Sequence, residues 1–286
     1  MDKKDQKLTY LSKNKTTCPI CKSNFNKENL LSGGGRLIAG NLTDELHREY
    51  KPSKKFGKIY PLIYIIEVCP NCLFASFSND FKLVNKDNTP KIKLSSEKRF
   101  EFAGKMVGDF DFFQPRSVKE GLISYYLATC CYDYFDKSVS PAIKQAICSL
   151  RAAWIAKDLN RDNPGENYDY LTELFYHKAA FFYIEALDRA QSGEEALEQM
   201  PNLGPDIDQN YGYDGVLYLI GYLSYKYEKS ENIEKRIKTL ETAKRFLSKL
   251  FGSGKASKNK PAAILEKSKD LYEIINDEIK SYQPSI

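Results

Sequence analysis

The tetrapeptide Cys18-Pro19-Ile20-Cys21 recurs further along the chain as Cys69-Pro70-Asn71-Cys72. A CPxC motif forms a tight turn that directs two thiolates toward one point, and two such turns supply the four sulfur ligands of a tetrahedral zinc site. The 47 residues between the motifs exceed the roughly 15–20 of an ordinary zinc ribbon, so the chain must leave the site and return. The sequence therefore predicts one Zn²⁺ bound by Cys18, Cys21, Cys69 and Cys72.

Four cysteine ligands leave no position for water, so the predicted metal is structural rather than catalytic. A redox CxxC pair is an alternative, although such pairs normally lie on a βαβ unit, which this part of the sequence does not indicate. A site that has lost its metal and a site in which His47 replaces one cysteine are further alternatives. Lys22 and Leu73 follow the two motifs where glycine is common, so we expect both to adopt the backbone geometry that glycine favours.

The region around the motifs has the composition of a small β-rich domain, residues 16–95, called the head below. Tyr60–Val68 is rich in β-branched and aromatic residues and predicts a strand, with Pro61 confining it to a sheet edge or moving its start to Leu62. Ser32–Arg36 predicts a turn. The aperiodic residues 82–95 predict a linker, and the lysine-rich residues 1–15 predict a flexible basic tail.

From Ser96 onward the apolar residues follow helical spacing, and Pro141–Lys157 has one apolar face that begins with a proline. Further helices are expected between breaks at 163–165, 201–205 and 252–261, with a final helix after Pro261. A small motif recurs in three of these helices, as Ala146/Leu150/Ala153, Ala179/Tyr183/Ala186 and Ala243/Leu247/Leu250. Its copies start 33 and 64 residues apart, close to one and two tetratricopeptide periods of about 34.

These patterns predict an α-dominated chain, with a small β-rich zinc-ribbon-like head followed by a tetratricopeptide-like helical solenoid over residues 96–286. An irregular helical bundle remains an alternative. The paired helices are separated by 18 and 22 residues, whereas the repeat consensus needs about 12.

Charge is distributed unevenly along the chain. Residues 1–95 contain 17 Lys+Arg and 9 Asp+Glu, whereas residues 96–286 contain 26 and 29. The basic head therefore favours an anionic partner, although a solvated lysine-rich surface is the simpler interpretation. The candidate nucleic-acid patch combines four lysines with two aromatic rings: Lys51, Lys54, Lys55, Lys58, Phe56 and Tyr60.

Other features limit the function classes. The chain has 2 histidines and lacks HExxH, GxSxG and GxxxxGK[ST] motifs, so we expect no enzymatic activity. It lacks the roughly 20 apolar residues of a membrane span and the apolar core of a signal peptide, so we expect no membrane insertion. The odd number of cysteines, 7, favours a reducing compartment, the cytoplasm. Cys130, Cys131 and Cys148 are expected to be buried core thiols.

The chain resembles a bacterial family described as domain of unknown function 2225. The resemblance covers most of residues 16–250 and is carried by Cys18–Cys21, Asp44–Tyr50, Tyr60–Tyr64, Val68–Cys72, Phe74-Ala75, Leu150–Trp154 and Tyr218–Gly221. Leu73 stands where the family commonly has glycine, and Tyr60 where it often has asparagine. The resemblance implies a zinc-ribbon-like head on a tetratricopeptide-like body, and it implies no activity.

We therefore expect a non-enzymatic zinc-binding adaptor or scaffold that binds a protein or peptide through its helical repeats. A nucleic-acid-associated protein that binds through its basic head is the alternative. In a helix-pair solenoid the first helices line the concave side, so we expect the exposed tyrosines there: Tyr125, Tyr126, Tyr132, Tyr218, Tyr222 and Tyr225. The other expectation for these rings is that they pack against neighbouring repeats.

Overall fold

Short β-branched and aromatic segments separated by turn residues give the N-terminal third its small sheets. The computed structural model describes residues 7–197, 200–251 and 262–282. Within these ranges, pairs β1–β4, β2–β3, β5–β6 and β7–β8 each form a two-stranded antiparallel sheet. The strands are β1 Thr9–Leu11, β2 Thr16–Thr17, β3 Asn24–Phe25, β4 Glu28–Leu30, β5 Ile38–Leu42, β6 Arg48–Lys51, β7 Ile66–Val68 and β8 Ala75–Phe77.

Helices make up most of the remaining chain, as predicted. Each helix from α3 onward contacts the next one along the chain. The helices are α1 Thr89–Leu94, α2 Ser96–Val107, α3 Val118–Cys131, α4 Pro141–Asp162, α5 Tyr168–Gln191, α6 Gly212–Tyr227, α7 Ile233–Ser248 and α8 Ala262–Tyr282. Pro141 begins α4 as expected, and the predicted final helix is α8. The predicted break at 252–261 lies outside the described residues.

Three local predictions for the N-terminal part differ from the structure. The strand predicted over Tyr60–Val68 is limited to β7, because Pro61 begins a 3₁₀ turn that ends at Tyr64. The predicted linker contains α1, whose Ile92 is fully buried. Of the predicted tail, residues 1–6 lie outside the described part of the chain, while β1 pairs with β4. Backbone pairing and apolar burial thus order segments whose composition alone indicated loops.

The recurring small motif lies in the core in all three helices. Its nine residues are fully buried, and a Cβ added to Gly221 of α6 would lie 2.8 Å from Leu247 Cγ of α7. The small residue Gly221 therefore allows α6 and α7 to approach closely. However, α4 and α5 have 22 and 24 residues. Both are longer than the roughly 15 residues available to each helix of a two-helix, 34-residue repeat. The tetratricopeptide assignment stays a prediction.

The first helices, α3 and α6, each contact the head. The Tyr125 hydroxyl donates to Leu62 O at 2.9 Å, and the Tyr218 hydroxyl donates to Asp44 O at 2.8 Å. Tyr132, just beyond α3, donates to Asp80 Oδ2 at 2.6 Å. The expectation that these three rings are exposed is therefore wrong, since the head of the same chain covers them. Apolar residues of the head and the helices form one continuous core.

Candidate metal centre

Each CPxC motif lies in the turn of a short hairpin, the first between β2 and β3 and the second between β7 and β8. In both, the backbone N–H after the second cysteine donates to the carbonyl of the first, Lys22 to Cys18 at 3.1 Å and Leu73 to Cys69 at 2.8 Å. Lys22 and Leu73 have φ values of 63° and 53°. The prediction that these two residues take the left-handed conformation usual for glycine is confirmed.

The two turns bring the four cysteine sulfurs together, each within 4.8 Å of the others. Sγ of Cys18 lies 3.6 Å from Sγ of Cys72, and Sγ of Cys21 lies 3.5 Å from Sγ of Cys69. A tetrahedron with Zn–S bonds of about 2.3 Å has S–S edges of roughly 3.8 Å, whereas a disulfide requires about 2.05 Å. The arrangement thus fits a tetrathiolate metal site and not a pair of disulfides.

Contacts among the sulfurs of the cluster shift the pKa values of its thiols in opposite directions. Contact with the Cys69 sulfur raises the pKa of Cys18 to about 12, and the hydrogen bond from Cys18 holds the pKa of Cys69 well below its usual value. Hydrogen bonding with Cys18 and Cys69 also raises the pKa of Cys72. A metal ion would bind these cysteines as thiolates, so its binding would release protons from the cluster.

A helix of the body supports the second CPxC turn. Arg99 of α2 is 6% exposed, and its Nε and Nη2 donate to the Cys72 carbonyl oxygen at 3.1 and 2.7 Å. Ser96 Oγ donates to the same oxygen at 3.3 Å. The Arg99 guanidinium thus holds the backbone of Cys72, one of the four candidate metal ligands. Its positive charge also lies beside a cluster that would be anionic if all four cysteines were thiolates.

The turn between β5 and β6 carries a buried carboxylate that sequence reasoning did not single out. Glu45 Oε2 accepts hydrogen bonds from Trp154 Nε1 and from the Tyr176 hydroxyl, both at 2.7 Å. Its Oε1 lies 3.4 Å from Lys226 Nζ and 3.3 Å from the Tyr227 hydroxyl. These partners belong to α4, α5 and α6, so one side chain joins the head to three helices. The only signal in the sequence was the family-like segment Asp44–Tyr50.

His47 lies in the same turn and is not a member of the cysteine cluster. Its Nδ1 is 2.5 Å from Oδ2 of Asp206, a fully buried residue. The imidazole stacks on the Trp154 indole with ring centres 4.2 Å apart. His47 therefore helps to connect the head with the body, and the alternative in which it replaces a cysteine ligand does not hold. His177 is exposed on α5.

The predicted nucleic-acid patch is divided between different contacts. Lys58 Nζ lies 3.0 Å from Asp158 Oδ1, and the Tyr60 hydroxyl donates to Asp162 Oδ2. Lys54 and Lys55 are exposed. Pairing with acidic residues of α4 therefore neutralises one end of the patch, while the other end remains accessible to solvent.

The cysteines outside the motifs have the environments expected of structural thiols. Cys131 and Cys148 are buried, and Cys130 is half-buried. Burial raises the pKa of Cys131 to about 12 and raises those of Cys130 and Cys148 as well. All three are protonated near neutral pH. Among the described helices, none is both long and apolar enough to cross a membrane.

Comparison with known proteins identifies the wider group. A family model described as an uncharacterized protein conserved in bacteria (DUF2225) matches residues 11–275. An uncharacterized protein of Borreliella burgdorferi is 41% identical over 276 residues, which cover 96% of this chain and 99% of that protein. No solved structure matches. Because the family model spans nearly the whole chain, head and helices together, the chain belongs to the bacterial DUF2225 family.

Proposed function

We propose that this chain is a non-enzymatic scaffold in which one structural Zn²⁺, bound by the four motif cysteines, stabilises the head, and in which the helical body binds a protein or peptide. The observation that carries the proposal is the cluster of four sulfurs with near-tetrahedral spacing. Zn²⁺ binds four thiolates in a tetrahedral arrangement and has no electronic preference for a different geometry. A reducing compartment such as the cytoplasm keeps these thiols available for the metal.

Metal content tests the first half of the proposal. Protein purified without added metal is expected to contain about one zinc per chain by elemental analysis, and its cobalt-substituted form should show the visible bands of a tetrahedral thiolate site. Cys69→Ser should lose the metal, whereas Cys148→Ser, at a buried thiol outside the cluster, should retain it. A fully folded wild-type protein without metal would refute the zinc assignment.

A groove between α6 and α8 supports the second half. It has a volume of about 820 Å³, and its lining combines aromatic rings and two aliphatic side chains with charged residues of both signs. The apolar contributors include Tyr222, Tyr225, Leu271, Ile274 and Tyr282. Ile274 is 50% exposed, and the tyrosine rings offer wide contact area at small entropic cost. We propose this α6–α8 groove as the partner surface, since the head covers Tyr125, Tyr132 and Tyr218.

Affinity capture with a matched control tests the groove. Tyr225→Ala with Ile274→Ala should remove a captured partner while the melting temperature stays within a few degrees. Tyr170→Ala, which removes a ring that is 67% exposed on α5, should have no effect on capture. Equal capture by the wild type and the groove variant would exclude this surface.

Binding of nucleic acid through the head is the alternative function, and the observation that favours it is the exposed basic turn around Lys54 and Lys55. Arg36 lies over the Phe56 ring at 4.6 Å and Lys55 at 5.4 Å, so the ring and its cations form one surface. Nuclease treatment before capture separates the two functions. A salt-dependent complex with generic RNA or DNA that Lys54→Glu with Lys55→Glu abolishes would favour the alternative over the scaffold.

A further inference from the structure

A second cavity lies where the head meets α4. This hairpin cleft has a volume of about 380 Å³ and is enclosed by the β5–β6 hairpin, the segment 52–62 and α4. Its apolar walls include Ile59, Leu62, Trp154 and Ile155. The volume lies within the roughly 300–1,000 Å³ of small-molecule sites. It is therefore large enough for a ligand and lies apart from the cysteine cluster.

The cleft contains the imidazole of His47, and contacts with Asp206 and Trp154 fix the orientation of the ring. Asp206 Oδ2 holds Nδ1 of His47 at 2.5 Å, and Trp154 stacks on the ring. The His47 side chain is 21% exposed and lines the cleft. Among the described residues, Nε2 has no hydrogen-bond partner, so it remains available to a ligand. A carboxylate that orients one ring nitrogen while the other is available is the arrangement of a functional histidine.

Two lysines with no ion pair among the described residues favour an anion in the cleft, whereas Arg48, Lys58 and Arg161 already pair with Asp208, Asp158 and Asp162. Five Lys or Arg side chains and three carboxylates line it. Two of the carboxylates already have partners: Glu45 accepts the Trp154 and Tyr176 hydrogen bonds, and Asp158 pairs with Lys58 and Arg161. Lys51 and Lys157, in contrast, form no ion pair within the described part of the chain.

We propose that the hairpin cleft binds the phosphate group of a small phosphorylated ligand, such as a nucleoside monophosphate. Lys51 and Lys157 supply ammonium donors to the phosphate oxygens. His47 Nε2 donates to a phosphate oxygen when the ring is protonated and accepts the P–OH proton when the ring is neutral. The apolar wall formed by Ile59, Leu62 and Ile155 accommodates the uncharged part of the ligand.

The single tryptophan provides a direct assay, because Trp154 is the only one in the chain and lines the cleft. Adenosine 5′-monophosphate added to the full-length protein at constant ionic strength should change its fluorescence saturably, whereas adenosine should not. Inorganic phosphate should compete. The phosphate could also belong to the 5′ end of a nucleic acid, which a 5′-phosphorylated oligonucleotide tests. If this oligonucleotide binds more tightly than the mononucleotide, and if removal of its 5′-phosphate abolishes binding, the site belongs to nucleic-acid ends and not to a small ligand.

Variants locate the contacts. Lys51→Gln with Lys157→Gln should weaken binding by roughly tenfold, and His47→Gln should do so to a similar extent. Glu49→Gln removes the third carboxylate of the lining and should strengthen binding about twofold. Lys229→Gln, in the α6–α8 groove, is the control and should leave the affinity unchanged.

Nuclear magnetic resonance of the histidine side chains tests the proposal on the wild-type protein, so the result does not depend on whether a variant folds. The chain has two histidines, so His47 and the exposed His177 give separate signals and the second serves as an internal control. The mononucleotide should shift the Nε2 resonance of His47 and leave that of His177 in place. Equal shifts at both rings, or no saturable change at His47, would overturn the proposal. A fluorescence response unaffected by the double lysine variant would overturn it as well.

Discussion

Replacement of Glu45 by alanine should destabilise the whole fold, because this carboxylate joins the head to three helices. Glu45 is 5% exposed, and Trp154 Nε1 and the Tyr176 hydroxyl each donate to it at 2.7 Å. The alanine variant removes the acceptor and leaves both donors in place inside the core.

The expected loss follows from these contacts. Each buried donor left without a partner costs about 1–3 kcal/mol, and removal of one member of a buried charged network typically costs about 3–5 kcal/mol. We therefore expect Glu45→Ala to lower the free energy of unfolding by roughly 4 kcal/mol. For a chain of this size, about 2–4 °C is lost per kcal/mol, so the melting temperature should fall by roughly 10 °C.

Denaturant unfolding followed by the fluorescence of Trp154 measures this loss, with circular dichroism as a second probe. Glu49→Ala is the matched control, because Glu49 lies in the same hairpin and is exposed. Its effect should stay within about 0.5 kcal/mol. Glu45→Gln, which keeps an acceptor, should fall between the two. A Glu45→Ala protein within about 1 kcal/mol of wild type would refute the view that this carboxylate holds the head on the body.

Three further predictions concern other contacts. Arg99→Met should weaken zinc binding about 10–100-fold, measured by competition with a chelator, because the Cys72 carbonyl loses its guanidinium donor. Gly121→Ala should destabilise the protein by about 1–3 kcal/mol in thermal unfolding despite its better helix propensity, because the new Cβ would lie 2.6 Å from Ile63 Cβ. Although burial opposes ionisation, hydrogen bonds from His47 and two backbone N–H groups lower the pKa of Asp206. The ionised Asp206 side chain therefore stabilises the fold fully above about pH 4, and this stabilisation is lost as the pH falls through the folded-state pKa. The difference in melting temperature between wild type and Asp206→Asn should accordingly become smaller below about pH 4.

The features predictable from sequence are those set by short-range chemistry. The CPxC spacing placed four cysteines in one group, and the residue after each motif indicated the left-handed conformations found at Lys22 and Leu73. Helical periodicity located α4 and the final helix α8. Within each CPxC motif and within each helix the determining residues lie close together in sequence, so composition and spacing carry the information.

Docking of the head on the body could not be read from the sequence, because its contacts join distant residues. Glu45 is 109 positions from Trp154 and 182 from Tyr227, and no local pattern pairs them. The same cause explains the tyrosines: their position on first helices indicated an exposed surface, but Tyr125 and Tyr218 donate hydrogen bonds to backbone carbonyls of the head. The strand predicted from Tyr60 to Val68 is shorter because its early residues form a turn against α3.

The position of the hairpin also determines when it can reach its final environment during synthesis. Both CPxC motifs are complete once Cys72 has left the ribosome, so the cysteine cluster can form early. Glu45 must wait for Tyr227, 182 residues later, which takes roughly 10–35 s at about 5–20 residues per second. Leu46, fully buried in the finished protein, stays accessible for that time. Early metal capture would fix both ends of the segment that carries the hairpin and hold this nascent surface in place until α4, α5 and α6 emerge to cover it.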